Sequence, residues 1–337
     1  MPTFLLPVTQ RSLRFASSLL HCTSLLSSSS SISSNRVRFL IVSNSRNLER
    51  TLRLHFSNLL ASHEHESIPT WSDARDIQSA LGVCEGVILA TSGSGDDVIN
   101  LPSSPTDEWL QCEKTVATFV SKCHRVVKLS WTEGFVEEKS PSSAGKANWE
   151  IEEELKLRIV EGDTWAHNLT ILRATMGMDV FLRGRLFELV CGRTLSTSIK
   201  RGRIAFVHPL DVAESLSAVV EKVSIGKSGE DVTKEAFKLT GPEALSFPDV
   251  AKLLSRGIGE KVSYSHFPLW AVQPARWVHG VPGDAIEEEL AVTRALESGT
   301  QEEVDTGFME TLLGHKPRSF QRFIAENVDA WPRTHPT

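Results

Sequence analysis

Between residues 36 and 175, short apolar runs alternate with segments whose apolar residues recur at helical spacing. "RVRFLIVSNS" (36–45) reads as a buried strand. "NLERTLRLHFSNLL" (47–60) reads as a helix with Leu48, Leu52, Phe56 and Leu59 on one side. "ESIPTWSDARDIQSAL" continues with a short strand, a turn at Asp73 and a helix. "CEGVILATSGSG" (84–95) is another buried strand ending in small residues. The pattern then predicts a helix over 107–123, a strand over 125–134, a helix over 148–162 and a strand over 168–175. Alternation with connections this short implies a parallel sheet covered by helices on both faces, a Rossmann-like doubly wound α/β fold. Ligands of such sheets bind at the carboxyl ends of the strands. Those ends carry Ser43, Thr91, Ser92 and Ser130. Polar residues end strands in any sheet, so the repetition matters more than each hydroxyl.

Beyond residue 200 the pattern changes. "RGRIAFVHPLDVAESLSAVVEKV" reads as a short strand, a turn and a helix, with Asp211 close to the helix start. "FKLTGPEALSFPDVAKLLSRGIG" gives a strand, a turn and a helix, with Ser246 placed as N-cap and Pro248 in the first turn. Two further helices close the chain. The expected division is a sheet domain over 1–175 and 201–242, a small, mainly helical cap over 176–200 and 243–331, and a tail over 332–337.

Composition narrows the function. The net charge is −6, with acids and bases mixed, which gives no argument for a nucleic-acid partner. No apolar run approaches the roughly 20 residues that cross a bilayer. The five cysteines are scattered without a CxxC pair, as in a reducing compartment rather than a disulfide framework. No metal is expected. "HEHE" (63–66) is read as a helix-end loop with no second ligand cluster of matching spacing. The expected partner is a small-molecule substrate, bound by a monomer or homodimer.

"AFVHPLDVAES", "LTGPEALSFPDVAKLLSRGIGEKVSY" and "HKPRSFQRFIAENVDAW" resemble the NmrA-like branch of the atypical short-chain dehydrogenases and reductases. "TILRATMGMDVF" resembles a strand of that family that usually reads LRP followed by Asn. "GVPGDAIEEELAVTRALESGTQEEV" is similar to fungal members, including ergot-alkaloid reductases of the festuclavine and agroclavine dehydrogenase type. The resemblance spans 36–331. It implies an NAD(P)H-binding sheet and a small organic substrate under the cap, such as an iminium, enone or quinone in fungal specialised metabolism. Some members of the family are instead regulators that bind NADP without turnover.

The resemblance also sets the register of the first residues. "MPTFLLPVTQRSLRFASSLL" has Arg11 and Arg14 but no acid, so by composition it reads as an import signal, which would make the protein mitochondrial. Family spacing instead puts strand one about 30 residues before strand two. That is "TFLL" (3–6), with a first helix over 11–20 and a cytoplasmic protein.

A dinucleotide loop needs glycines for its tight turn and for close approach to the pyrophosphate. "LPVTQRSLRF" has none. Thr9, Gln10 and Ser12 could supply side-chain contacts, and Arg11 could pair a phosphate directly. The alternative is a decayed site with Arg11 as a surface charge. Arg46, just past strand two, suits the 2′-phosphate of NADP(H), since no acid stands there for a ribose hydroxyl. By the family pattern Asp73 sits near the adenine, Thr91 and Ser92 near the ribose and nicotinamide, and Ser130 and Trp131 in the nicotinamide pocket. Trp149, Met176 and Phe181 are expected as further pocket walls. The Tyr-x-x-x-Lys mechanism is excluded by composition, because Tyr264 is the only tyrosine. Ser142 stands four residues before Lys146 instead. Lys146, His208 and His266 are weak candidates for a proton donor, with a surface or turn role as the alternative for each.

Overall fold

The structure, a computed structural model, describes residues 3–8, 38–43, 64–67, 74–91, 108–120, 125–132, 134–159, 169–224 and 236–332, with Ala16, Ser18, Leu19 and Cys22 as isolated positions. Seven strands form one sheet: β1 (Thr3–Pro7), β2 (Arg38–Ser43), β3 (Glu64–Ser67), β4 (Gly86–Leu89), β5 (Arg125–Trp131), β6 (Leu169–Ala174) and β9 (Ala236–Leu239). Their order is β3-β2-β1-β4-β5-β6-β9, and every pairing is parallel. The chain therefore builds outward from β1 to β3, then returns to build β4 to β6 on the other side. β1 and β4 flank the switch point.

β1 is the central strand expected from "TFLL". Phe4, Leu5 and Leu6 are buried, and β1 pairs with β2 from Thr3↔Arg38 to Pro7↔Val42. Its ladder with β4 is limited to Phe4↔Gly86 and Leu5↔Val87, so Pro7, which has no N–H, falls beyond it. Gly86 is required by close approach, because a Cβ there would lie 2.3 Å from the Phe4 ring.

Alternate residues feed two cores. Leu5, Val87, Leu89, Val126, Leu169 and Ile171 face α1 (Ala74–Gly82), α2 (Glu108–Phe119) and α3 (Ser143–Ile159). Phe4, Leu6, Ile88, Val127, Leu129 and Leu172 face the other way, toward Ala16, Leu19 and Cys22 and toward α5 (Pro209–Ser224). Period-two alternation in strands covered on both faces leaves almost no polar position, which is why these strands read as continuous apolar runs.

The remaining elements are α4 (Gly184–Cys191), β7 (Thr194–Thr197), β8 (Arg203–Ile204), β10 (Leu245–Ser246), α6 (Phe247–Ile258), β11 (Ser263–His266), α7 (Leu269–Val278), α8 (Gly283–Glu297), α9 (Gly307–Leu313) and α10 (Phe320–Asn327). β8 pairs antiparallel with β10, and β7 parallel with β11. Ser246 caps α6 as its sequence suggested, its Oγ accepting from Asp249 N at 3.3 Å. Phe181, Phe206, Phe247, Phe320 and Phe323 form one aromatic cluster under this region. α9 instead joins the sheet: Met309 enters the second core, and Phe308 stacks on Phe237 of β9 with ring centroids 4.0 Å apart.

Two local readings need correction. "HEHE" is not a helix-end loop, because Glu64–Ser67 pairs with β2 from Leu40↔Glu64 to Ser43↔Ser67. Alternation of polar residues hides an edge strand. The helix expected over 148–162 begins at Ser143. Ser142 caps it, its Oγ accepting from Gly145 N at 2.9 Å, and Glu288, from more than a hundred residues away, holds the same first turn.

Candidate active site at the carboxyl edge of the sheet

On the face covered by α2 and α3, β5 and β6 present Lys128, Ser130 and Arg173, the positions that continue the inward alternation. Lys128 is fully buried and donates to Glu113 Oε2 of α2 at 2.5 Å and to Asn148 Oδ1 of α3 at 2.9 Å. Thr91, just past β4, donates its hydroxyl to the other oxygen of Glu113 at 2.7 Å. One turn along α3, Glu152 accepts from Ser130 Oγ at 2.5 Å and from Arg173 Nη2 at 2.7 Å. Two buried ion pairs thus lock the tips of β4, β5 and β6 to their covering helices. Burying four charges is costly, and the gain is a single defined arrangement, because removing any one partner strands the other.

The strand tips are also tied to the C-terminal region. Gln301, buried behind α8, accepts from Met176 N at 2.9 Å and donates to Thr132 Oγ1 at 3.1 Å. Glu288 of α8 reaches the N-terminus of α3. It accepts from Ser143 N at 2.7 Å, from Ser143 Oγ at 2.9 Å, from Ala144 N at 3.3 Å, and from the Ser142 hydroxyl. A carboxylate there satisfies free N–H groups and complements the helix dipole.

Of the residues singled out from sequence, Thr91, Ser130 and Trp131 come together at these tips. Both hydroxyls are committed to carboxylates. Trp131 is buried against Trp109, with ring centroids 5.7 Å apart, and its Nε1 has no hydrogen-bond partner among the described residues. Met176 follows β6 and is buried, while Trp149 is half-buried against the same core. Phe181 stands apart. Its ring belongs to the aromatic cluster and its carbonyl accepts from Trp331 Nε1 at 3.0 Å.

Ser142 is buried and Lys146 exposed, so the pair at Tyr-Lys spacing does not face one common point. His208 is buried beside α10: its Nδ1 accepts from Leu210 N at 3.2 Å, which leaves Nε2 to donate to Glu326 at 3.1 Å. Burial pushes its pKa down, against the pull of Asp211 and Glu326. His266 is exposed on β11, and Tyr264 donates to Ile199 O at 2.9 Å. Thr9, Gln10, Arg11, Ser12, Arg46, Asp73 and Ser92 lie outside the described residues.

Asp211, Glu214 and His315 bring metal-ligating atoms close together, yet a cation already stands among them. Arg318 bonds Asp211 through its Nη1, and donates to Glu214 at 2.9 and 2.8 Å.

Sequence reasoning missed Glu113, Lys128, Asn148, Glu152, Glu288 and Gln301. A lysine inside the apolar strand "RVVKLSW" was the one available signal, since such a residue must have a buried partner.

No protein-family model matches the chain. It is 27% identical to agroclavine dehydrogenase of Claviceps fusiformis over 169 residues, 48% of this chain and 54% of that protein. It is 26% identical to the oxidoreductase YesF of Bacillus subtilis over 166 residues, again 48% and 54%. The chain thus matches about half the length of these curated relatives. Among solved structures, an NADPH-dependent quinone oxidoreductase of Escherichia coli in complex with NADPH superposes with a TM-score of 0.68, at 15% identity over 95% of this chain and 99% of that one. The Citrobacter triphenylmethane reductase complexed with NADP(H) gives 0.66, at 13% identity over 96% and 100%. A nucleoside-diphosphate-sugar epimerase of Staphylococcus aureus gives 0.68, at 13% identity over 96% and 100%. At these identities the structures establish the fold. Over about half its length the chain is similar in sequence to proteins named dehydrogenase and oxidoreductase, and over nearly all of it the chain shares the fold of reductases solved with NADP(H).

Proposed function

We propose that the protein is an NADP(H)-dependent oxidoreductase that reduces a small conjugated organic molecule, with iminium, enone and quinone as the acceptor classes. The observation that carries this reading is the switch point. β1 and β4 lie side by side and parallel, and in sheets of this order a dinucleotide lies across their carboxyl ends. The buried indole N–H of Trp131, without a partner among the described residues, fits the same group, since a bound carboxamide would satisfy it. When bound, NADPH supplies the hydride.

The chain's own residues bind and orient. Arg46 takes the 2′-phosphate. Thr9, Gln10, Arg11 and Ser12 replace the glycine loop by side-chain contacts to the pyrophosphate. Asp73 lies by the adenine, and Ser92 by the ribose. Thr91 and Ser130, whose hydroxyls serve Glu113 and Glu152, fix the strand tips rather than hold the cofactor by hydrogen bonds.

Lys146 is exposed and His208 is enclosed beside α10, so neither is assigned as an acid. This suits an acceptor that needs none. An iminium that gains a hydride at carbon becomes a neutral amine as the C=N π electrons move to nitrogen, and no proton is required. The names of two structural neighbours agree with delocalised acceptors, a quinone and triphenylmethane dyes. A role in fungal specialised metabolism rests on the agroclavine dehydrogenase likeness alone.

A second reading, a cofactor-sensing protein without turnover, is favoured by the missing glycines. NADPH oxidation followed at 340 nm with a cyclic iminium, an enone and a quinone separates the two. Saturable turnover of any of these acceptors supports the reductase. NADPH binding with no turnover across all three classes supports the sensor.

A further inference from the structure

A recess lies between α4, β7 and α8, lined by Arg185, Ser196, Ser198, Glu289 and Thr293 among others. Its free space, about 20 Å³, holds one water-sized group. Among the described residues, Glu289 is paired with both cations beside it, Arg185 and Arg276. Glu289 is nearly buried, and Arg276 holds it in a two-pronged pair, Nε to Oε2 at 2.8 Å and Nη2 to Oε1 at 2.8 Å. Arg185 reaches the same carboxylate only through Nη1, at 3.4 Å. One carboxylate therefore serves two guanidiniums. The neighbouring acid, Glu288, cannot make up the difference, because it is committed to the N-terminus of α3. Burial and the nearby Arg276 push the pKa of Arg185 down, as expected of a cation short of a counter-charge. The Arg185 side chain keeps 33% of its exposure, so a ligand can reach it from outside.

We propose that this recess is a binding subsite for one carboxylate of an organic anion, with Arg185 as its charge partner and the Ser196 and Ser198 hydroxyls as added donors. A planar carboxylate matches the side-by-side N–H groups of a guanidinium. One of its oxygens fills the recess and the rest of the molecule lies outside. A tetrahedral phosphate could also place one oxygen there, but its further charged oxygens would crowd the Glu289 carboxylate that lines the recess, so it should bind less well. The inference stands on the recess and needs no bound NADPH.

Thermal unfolding of the full chain with sodium acetate tests it, at ionic strength held constant with sodium chloride. A ligand of the folded state raises Tm in a saturable way. The wild type is expected to show that rise with acetate and a smaller one with inorganic phosphate. Arg185→Gln is expected to weaken the apparent acetate affinity by about tenfold, the loss of one charge-assisted pair. Arg185→Lys should retain part of it. An unchanged near-UV circular dichroism spectrum shows that each variant is folded. The proposal is overturned if acetate does not shift the wild type, if Arg185→Gln responds as the wild type does, or if phosphate matches acetate. Each of these failures leaves the reductase reading untouched, because no step of the assay involves NADPH.

Discussion

On the β4–β6 side, the carboxyl edge of the sheet is braced by Glu113, Lys128, Glu152 and Arg173, all buried and paired. On the β1–β2 side, the edge is reached through Pro7 and Val8, and the sequence that follows, TQRSLRF, contains no glycine. The braced side would face the nicotinamide, where hydride geometry is decided to within fractions of an ångström. The other side would face the phosphates, where charge matters more than shape. A protein that keeps the first and alters the second can still orient a nicotinamide, provided that Arg11 and Arg46 supply the grip that backbone amides usually give.

This contrast can be broken first at the braced side. Lys128→Met takes the lysine counter-charge from buried Glu113, which keeps its bond from Thr91, and should cost about 3–5 kcal/mol of stability in denaturant unfolding. The double variant Lys128→Met/Glu113→Leu should recover much of that loss. No recovery would mean that the pair does more than compensate its own burial. On the other side, Arg46→Ala should weaken NADPH binding by about ten- to a hundredfold, the worth of one or two charge-assisted bonds to the 2′-phosphate, and leave NADH almost unchanged. Equal losses for both nucleotides would remove Arg46 from the phosphate.

A smaller effect is expected at the seam between α8 and α3. Glu288→Gln keeps the shape but loses the charge at the helix N-terminus, and should cost about 1–3 kcal/mol. Limited proteolysis should then cut sooner between residues 280 and 300.

The smallest effect is a pH dependence. Burial lowers the His208 pKa below its ordinary 6.5, so below that pH the unfolded chain takes up a proton that the folded protein resists. The stability from keeping this histidine neutral is complete above pH 6.5 and declines as pH falls toward the folded pKa. His208→Phe should flatten Tm between pH 7.5 and 5.5. A slope identical to the wild type would place the titration elsewhere.

Most of the buried strands and several helices were legible because they follow from residues near in sequence, while the place of β1 came from the family resemblance. Two-face burial makes "RFLIVS" and "GVIL" continuously apolar, and Ser246 with Pro248 marks a helix start on its own. The braces were not legible, because each partner is set by tertiary packing. Glu113 and Glu152 lie on helices whose other acids, Glu108, Glu150, Glu153 and Glu154, read in the same way from sequence. Phe181 illustrates the converse. It follows a strand end, as a pocket wall would, yet packs against Phe206, Phe247 and Phe320, and its carbonyl accepts from Trp331.

The central claim is that a glycine-free first loop still holds a dinucleotide, and holds NADPH by charge. Titration of the full chain with NADPH and with NADH, followed by quenching of tryptophan fluorescence, tests this most directly. The account predicts saturable binding of NADPH, at least about tenfold tighter than NADH, as one phosphate–arginine pair would give. Binding of neither nucleotide at millimolar concentration, or equal binding of both, would contradict it.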